Sequence, residues 1–192
     1  MRTTQLSFDK KLKKKYGRVT HGGTETKGKR KEFRPLSTKR TIHLVLKSDK
    51  AKGKLSFLTH KNKPMIEKIL ESKAKKFGIK LAEHANVGNH LHIKLRIQSR
   101  ISFQKFLKSI TTLIARKITG AKKGQRFGRF WQGLAFTRVL TSAFEELQLR
   151  GYIEANRLQI VQGYNQRETY LSGFNEWMQN LKHRSEKPRQ SF

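Results

Sequence analysis

The sequence predicts an α+β fold, in which helices pack on an antiparallel-rich sheet of the ferredoxin-like type. Segments of alternating apolar and polar residues are interspersed with segments of helical periodicity, in the order β-α-β-β-α-β-β-α. Two of the predicted strands are separated only by Gly88 and Asn89, a pair typical of a two-residue hairpin turn. Because hairpin strands run in opposite directions, this part of the sheet is expected to be antiparallel.

The first half of the predicted domain contains three strands and one helix. The first strand is expected over residues 41–47, where aliphatic residues alternate with other side chains. A helix of about four turns follows over residues 62–77, because its apolar residues recur at helical spacing, and Gly78 ends it. The hairpin strands are predicted over residues 79–87 and 90–97.

The second half begins with an amphipathic helix over residues 102–119. A basic, glycine-containing loop leads from it into a short aromatic hairpin over residues 129–140. The last strong helix is predicted over residues 142–161. In the polar segment beyond it, residues 172–181 have the pattern of a further short helix.

The domain organisation follows from length and from the distribution of charge. A chain of 192 residues is long enough for one domain of ordinary size with tails. Residues 1–40 contain 14 Lys and Arg against three acidic residues and show no sustained period, which predicts a flexible, phosphate-binding arm rather than a merely solubilising tail. The folded domain is expected over residues 41–162, and residues 163–192 form a polar, basic tail.

The composition restricts the function. The chain has 44 Lys and Arg against 13 Asp and Glu, a formal net charge of +31, which indicates a nucleic-acid partner. It contains no cysteine, which excludes disulfides, thiolate metal sites and cysteine nucleophiles. No stretch approaches the roughly 20 apolar residues of a membrane span, and no signal peptide is recognisable. We therefore expect a cytosolic protein without a membrane partner.

The third predicted strand carries two histidines, His90 and His92, on either side of Leu91. Since strand side chains alternate between faces, both imidazoles project the same way, roughly 6 to 7 Å apart. At that spacing both can reach one cation, so the pair is a candidate half of a metal site. Taken alone, the pair is equally compatible with a merely polar surface.

The last predicted helix carries Tyr152 and Asn156, four residues apart. This spacing places the phenol and the amide on one face, about one turn from each other. Taken alone, the tyrosine is more typical of the apolar side of an amphipathic helix, and the asparagine of a surface amide.

The loop before the last helix interleaves cations with aromatic residues, the combination that binds the phosphates and bases of single-stranded DNA. The alternative for Phe130 and Trp131 is that they pack the sheet. The candidate DNA-binding residues are Lys122, Lys123, Arg126, Arg129, Phe130, Trp131 and Arg138. Three residues near the histidine pair are expected to be surface or supporting groups: His43, Glu83 and His84. Tyr164 and Tyr170 lack a ligand-bearing partner at helical spacing.

The elements "NHLH", "GRFW", "RVL" and Tyr-x-x-x-Asn, in this order, resemble the HUH-type single-tyrosine transposases, and most closely their REP-associated branch. The resemblance covers about residues 34–161. It implies the HUH endonuclease fold, with His90, His92 and Asn156 as ligands of Mg²⁺ or Mn²⁺. By the same resemblance, Tyr152 is the nucleophile.

The activity implied by the resemblance is cleavage and rejoining of single-stranded DNA, with hairpin structure, through a 5′-phosphotyrosine. It implies a monomer or homodimer associated with a prokaryotic nucleoid. The chain departs from many relatives by having Val87-Gly88 where they have Met-Pro, and Asn156-Arg157 where they have Asn-Pro. Neither change removes a ligand.

Two other classes remain open on sequence grounds. A basic, cysteine-free chain of this kind is also typical of non-catalytic, ribosomal-like proteins that bind RNA or DNA. That class explains the charge and the aromatic residues, but it does not predict a His-x-His strand together with Tyr-x-x-x-Asn on the last helix. A metal nuclease that uses water as the nucleophile would employ the same cation.

Overall fold

The structure, a computed structural model, describes residues 19–23, 33–125, 127–162 and 164–186. Within these residues the strands are β1 (Thr20–His21), β2 (Ile42–Lys47), β3 (Lys80–Asn86), β4 (His90–Arg96) and β5 (Phe136–Val139). The α-helices are α1 (Asn62–Phe77), α2 (Arg100–Thr119), α3 (Ala143–Gln162) and α4 (Tyr164–Glu186). Most of the predicted basic arm, Arg126 and the last six residues lie outside the described residues.

The strands form one sheet in the order β1-β5-β2-β4-β3, and each neighbouring pair is antiparallel. Without the two-residue β1, this order corresponds to the split β-α-β arrangement of ferredoxin-like folds. The α+β class with an antiparallel, ferredoxin-like sheet is therefore confirmed. In the part of the chain that the structure describes, no helix is both long enough and apolar enough to cross a membrane.

The main core lies between one face of the sheet and the helices α1 and α2. Alternate residues of the two central strands are at most 2% exposed and pack in this core: Ile42, Leu44, Leu46, Leu91, Ile93 and Leu95. The helices contribute Ile66 and Leu70 from α1 and the fully buried Phe106 and Ile110 from α2. The period of two that defines the strands therefore also decides which residues form the core.

The opposite face of the sheet is more polar and packs against α3. It carries the intervening residues of the central strands, including His43 of β2 and His90 and His92 of β4. A small apolar cluster attaches α3 to this face and contains Ala85, Leu140, Leu149 and Ile153. The side chains of the predicted active site thus lie between the sheet and α3 rather than in the main core.

Helix α2 begins two residues before the predicted start. Ser99 is the N-cap, and its hydroxyl accepts a hydrogen bond from the Ser102 amide. The Ser102 hydroxyl in turn accepts from the Ser99 amide, which completes a capping box. Gly120 ends the helix in the left-handed conformation, with φ 69°, as a glycine at this position permits.

The prediction of an aromatic hairpin over residues 129–140 is wrong, because only the second half of this segment contains a strand. The first half is held to the rest of the domain by individual hydrogen bonds. The Phe130 carbonyl accepts one from the Ser48 hydroxyl, and the Trp131 indole donates one to the Thr111 carbonyl. Phe130 is buried in the main core against Phe57. The aromatic residues thus attach the segment to the core and to α2, and only the residues of β5 pair with a neighbouring strand.

Two elements form outside the expected folded domain. Strand β1 lies in the segment expected to be a basic arm and pairs with β5, with Thr20 opposite Arg138. In the expected tail, α4 extends over 23 residues and includes the short helix predicted there. The ring of Phe174 on α4 lies directly over Gly151 of α3. The two helices can approach closely at this point because glycine has no side chain.

Candidate active site and nucleic-acid interface

Strand β4 brings His90 and His92 together on the face of the sheet that α3 covers. Their ring centroids are 4.7 Å apart, and the ring planes are nearly perpendicular at 76°. His92 is 4% exposed, whereas His90 is half-buried. One imidazole is thus held inside the protein, and the other lies at the margin of the site.

Helix α3 brings Tyr152 to the same place. The centroid of the Tyr152 ring lies 5.2 Å from that of His92, in an edge-to-face arrangement at 80°. The tyrosine is nevertheless 36% exposed, so a large substrate can approach it. A tyrosine-bearing helix and a histidine-bearing strand, whose contacting residues are 60 positions apart in the sequence, therefore meet within one chain.

Asn156 lies one turn after Tyr152 and is 3% exposed. Its Nδ2 donates to the Tyr152 carbonyl at 2.8 Å, a bond within the same helix. This bond fixes the orientation of the amide and does not use Oδ1, the atom through which an asparagine binds a cation.

The hydrogen bonds of the two histidines leave the same ring nitrogen for a ligand. Nδ1 of His90 lies 2.6 Å from Oδ1 of Asn89, and Nδ1 of His92 lies 3.1 Å from Nε2 of His43. Nε2 of His92 is buried and has no hydrogen-bond partner among the described residues. A buried polar atom without a partner costs free energy unless something binds it, and a cation would do so.

The protonation of the two imidazoles also suits cation binding. Burial, together with the neighbouring His43 and His90, lowers the pKa of His92 to about 2. Burial and the positive charge of Lys47 lower the pKa of His90 as well. The rings are therefore neutral at physiological pH, which is the state that binds metals.

The predicted donor set consists of two imidazoles and one amide and carries no charge. Among the described residues, no group of three or more His, Cys, Asp or Glu side chains could hold a metal ion. The neutral nitrogen and oxygen donors of the predicted set, one of which is the buried Nε2 of His92 that has no hydrogen-bond partner among the described residues, are of a kind that a divalent cation accepts.

An open cleft of about 820 Å³ lies between α2 and the loop that follows it. It is lined by three of the predicted DNA-binding cations, Lys122, Lys123 and Arg129, and by the ring of Trp131. Each of these three cations is exposed, as phosphate binding requires.

The other predicted DNA-binding residues are less available to a ligand. Phe130 also lines the cleft but is 5% exposed and belongs to the main core. Arg138 forms an ion pair with Glu145 of α3, with Nη2 and Oε1 2.6 Å apart, and thereby joins β5 to the start of α3. Arg126 lies outside the described residues.

Sequence reasoning missed several residues of the site and cleft. Arg116 of α2 lines the cleft. The sequence does not predict this, because the helical pattern places Arg116 on the polar face but does not show which loop that face contacts. Lys47 pairs with His90 across the sheet, which a strand register predicts only once the pairing strands are known. For His43 the sequence predicts only a surface or supporting role, because strand alternation alone does not show which neighbouring strand it faces.

The chain is similar to one known protein family and to two solved structures. A model of the family described as "Transposase IS200 like" matches residues 37–156. The solved structure of a REP-associated tyrosine transposase bound to a REP hairpin is similar in fold, with a TM-score of 0.50, 11% identity, and coverage of 71% of this chain and 76% of that chain. A candidate transposase from Deinococcus radiodurans R1 has a TM-score of 0.41 and 22% identity, over 66% of this chain and 98% of that chain.

No functionally curated protein matches the chain in sequence. The fold likeness supports the predicted HUH class, and the family model covers both histidines, the tyrosine and the asparagine. The chain belongs to the IS200-like transposase family.

Proposed function

We propose that this member of a transposase family cleaves and rejoins single-stranded DNA, with Tyr152 as the nucleophile. In this proposal His90, His92 and Asn156 hold Mg²⁺ or Mn²⁺. The observation that carries the proposal is the contact between the half-exposed Tyr152 ring and the buried His92, whose centroids are 5.2 Å apart. A basic nucleic-acid-binding protein without catalysis has no need of that contact.

The chemistry follows from the residue types. A free phenol has a pKa near 10 and is a poor nucleophile at neutral pH. The cation would supply Lewis-acid polarisation of the scissile phosphate, and its neutral ligands leave its charge undiminished. The Tyr152 oxygen attacks phosphorus in line, its bond to phosphorus forms as the bond to the 3′ oxygen breaks, and the phenolic proton passes through solvent to that oxygen.

The products are a 5′-phosphotyrosine and a free 3′-hydroxyl. Because the new ester conserves the energy of the phosphodiester bond, a second 3′-hydroxyl can reverse the step and join strands without a nucleotide cofactor. Tyr152 and His92 meet within one chain, which supports a complete site in a monomer or in each copy of a homodimer.

The substrate is proposed to be single-stranded DNA that contains a hairpin. The exposed cations of the cleft and the ring of Trp131 support the single-stranded part, through phosphate neutralisation and base stacking. The REP hairpin bound to the similar transposase supports the hairpin part. DNA binding of this kind would associate the protein with the nucleoid.

The test is to incubate the protein with end-labelled hairpin DNA and Mn²⁺ and to look for an adduct that survives denaturation. The unchanged protein is expected to form the adduct, chelation of the cation to prevent it, and Tyr152→Phe to abolish it. The control is Tyr170→Phe, because Tyr170 lies on α4, stacks on Phe174 of the same helix, and keeps its ring in the variant.

Other outcomes would favour the alternatives. If Tyr152→Phe still cleaves DNA without forming an adduct, water is the nucleophile and the protein is a metal nuclease. If the unchanged protein cleaves nothing but binds RNA tightly, it is a non-catalytic nucleic-acid-binding protein.

A further inference from the structure

A third imidazole, that of His43, lies against the predicted ligands from a neighbouring strand. Nε2 of His43 is 3.1 Å from Nδ1 of His92, and the two rings lie edge to edge, with centroids 5.4 Å apart and planes 21° from parallel. The contact joins residues that are 49 positions apart and belong to β2 and β4. His43 therefore touches the buried ligand on the side away from Nε2.

The positions of the ring protons of His43 and His92 determine which nitrogen donates in this contact. A neutral imidazole has one nitrogen that donates a hydrogen bond and one that accepts. If Nε2 of His92 offers its lone pair to a cation, the proton of His92 must be on Nδ1. Nδ1 then donates to Nε2 of His43, and the proton of His43 must be on its own Nδ1.

We propose that His43 is a positioning residue that accepts the Nδ1 proton of His92 and so presents Nε2 of His92 to the cation. This inference rests on the proposed function, because it concerns the same metal site. Histidine ligands commonly donate their second ring nitrogen to a carboxylate or carbonyl, which sets the tautomer and the ring orientation. In this site the acceptor is the neutral imidazole of His43.

A neutral acceptor suits this site better than a carboxylate would. A carboxylate beside His92 would partly cancel the charge that the cation offers to the phosphate. In the proposed arrangement the acceptor in the 3.1 Å contact is the lone pair on Nε2 of His43, which a neutral imidazole has and a charged one lacks.

Two substitutions separate acceptance of the proton from simple packing. His43→Phe keeps an aromatic ring at this position but removes the acceptor, and it is expected to weaken binding of Mn²⁺ by about 10- to 100-fold. His43→Gln loses the ring but keeps an acceptor oxygen, so it should retain most of the affinity. Binding is measured with Mn²⁺ alone, by the electron paramagnetic resonance signal of the free ion, after thermal unfolding has shown that each variant is folded.

A second measurement does not depend on any variant. In the metal-free protein, the ¹⁵N chemical shifts of His92 are expected to report a proton on Nδ1. A proton on Nε2 of His92 would overturn the inference, as would equal Mn²⁺ affinity of His43→Phe and the unchanged protein. A His43→Gln variant that binds as weakly as His43→Phe would also overturn it, since packing would then explain both losses.

The experiment distinguishes this inference from the proposed function. If His90→Ala binds Mn²⁺ as tightly as the unchanged protein, the cation is not at the proposed site and the proposed function fails. If His90→Ala loses the cation and His43→Phe does not, only the role of His43 is refuted.

Discussion

Asn156 makes a hydrogen bond within its helix that leaves its proposed ligand atom unused. Its Nδ2 donates to the Tyr152 carbonyl, which leaves Oδ1 for another partner and fixes the direction of the amide. At 3% exposure it cannot reorient freely. The spacing of four residues predicted that the amide and the phenol share a face, but the hydrogen bond that orients the amide became visible only in the structure.

The absence of charge on Asn156, the proposed third ligand, is the basis of one prediction. Asn156→Asp preserves the shape of the side chain but would add a negative charge next to the proposed cation, so Mn²⁺ should bind more tightly. Cleavage should be slower by about tenfold or more, because a partly neutralised cation stabilises less charge on the phosphate, and 1.4 kcal/mol of lost stabilisation is enough for tenfold. Mn²⁺ titration and single-turnover adduct formation measure the two effects.

Asn156→Ala is the matched control, because it removes the donor without adding charge. It should lose both affinity and rate, whereas the aspartate variant should change them in opposite directions. An aspartate variant that cleaves as fast as the unchanged protein would show that the charge of the ligand set does not limit the reaction.

At the scale of elements, α3 is attached to the sheet on both sides of Tyr152. Near its start, the carboxylate of Glu145 accepts hydrogen bonds from Arg138 and from the Thr141 hydroxyl. Near its end, the Arg157 guanidinium donates twice to the His84 carbonyl of β3, at 2.7 and 3.0 Å. The position of the tyrosine over His92 is thus maintained by polar contacts as well as by the small apolar cluster.

The contact between α3 and α4 provides a second prediction with a matched pair of glycines. A Cβ at Gly151 would collide with the ring of Phe174, whereas a Cβ at Gly173 meets no atom within 4 Å. Gly173→Ala should therefore raise the free energy of unfolding by about 0.5–1 kcal/mol, the usual gain in a helix. Gly151→Ala should lower it, because the clash outweighs the same gain.

Thermal or denaturant unfolding of the two variants checks this prediction. Hydrogen exchange of α4 locates the effect, since the displaced ring should expose α4 in Gly151→Ala but not in Gly173→Ala. If both variants are stabilised equally, α4 does not pack on α3 as described.

At the scale of the whole molecule, the net charge of +31 makes binding to nucleic acid dependent on salt. Only some of these charges are expected to contact the substrate. The cleft combines Arg116 of α2 with Lys122, Lys123 and Arg129 of the loop. Removing cations from the cleft and removing them elsewhere should therefore have different effects.

The double variant Lys122→Ala/Arg129→Ala should weaken binding to single-stranded DNA. The slope of log affinity against log salt should become shallower by about 1.4, at roughly 0.7 for each lost phosphate contact with a single strand. The control, Lys68→Ala/Lys75→Ala, removes two exposed cations from α1 that do not line the cleft. Equal slopes for the two double variants, measured by fluorescence anisotropy, would show that the cleft is not the DNA site.

The sequence was a good guide wherever one element determined the outcome. The alternation of β4 predicted that His90 and His92 share a face, and the helical spacing predicted the same of Tyr152 and Asn156. The hairpin over residues 129–140 failed because aromatic residues that look like a strand are used as anchors: Phe130 in the main core and Trp131 on α2. The alternation of aromatic with polar residues in the sequence is the same whether the aromatic residues belong to a strand or anchor an irregular segment.

The sequence by itself determined the fold class and which side chains lie together on each strand and helix, because those relations depend on backbone periods of 2.0 and 3.6 residues. Only the tertiary structure decided that α3 lies across the histidine-bearing face, that His43 contacts His92, and that Arg116 joins the basic loop. These contacts join residues far apart in the chain. They depend on the order of the strands and on how the helices pack, which no local pattern specifies.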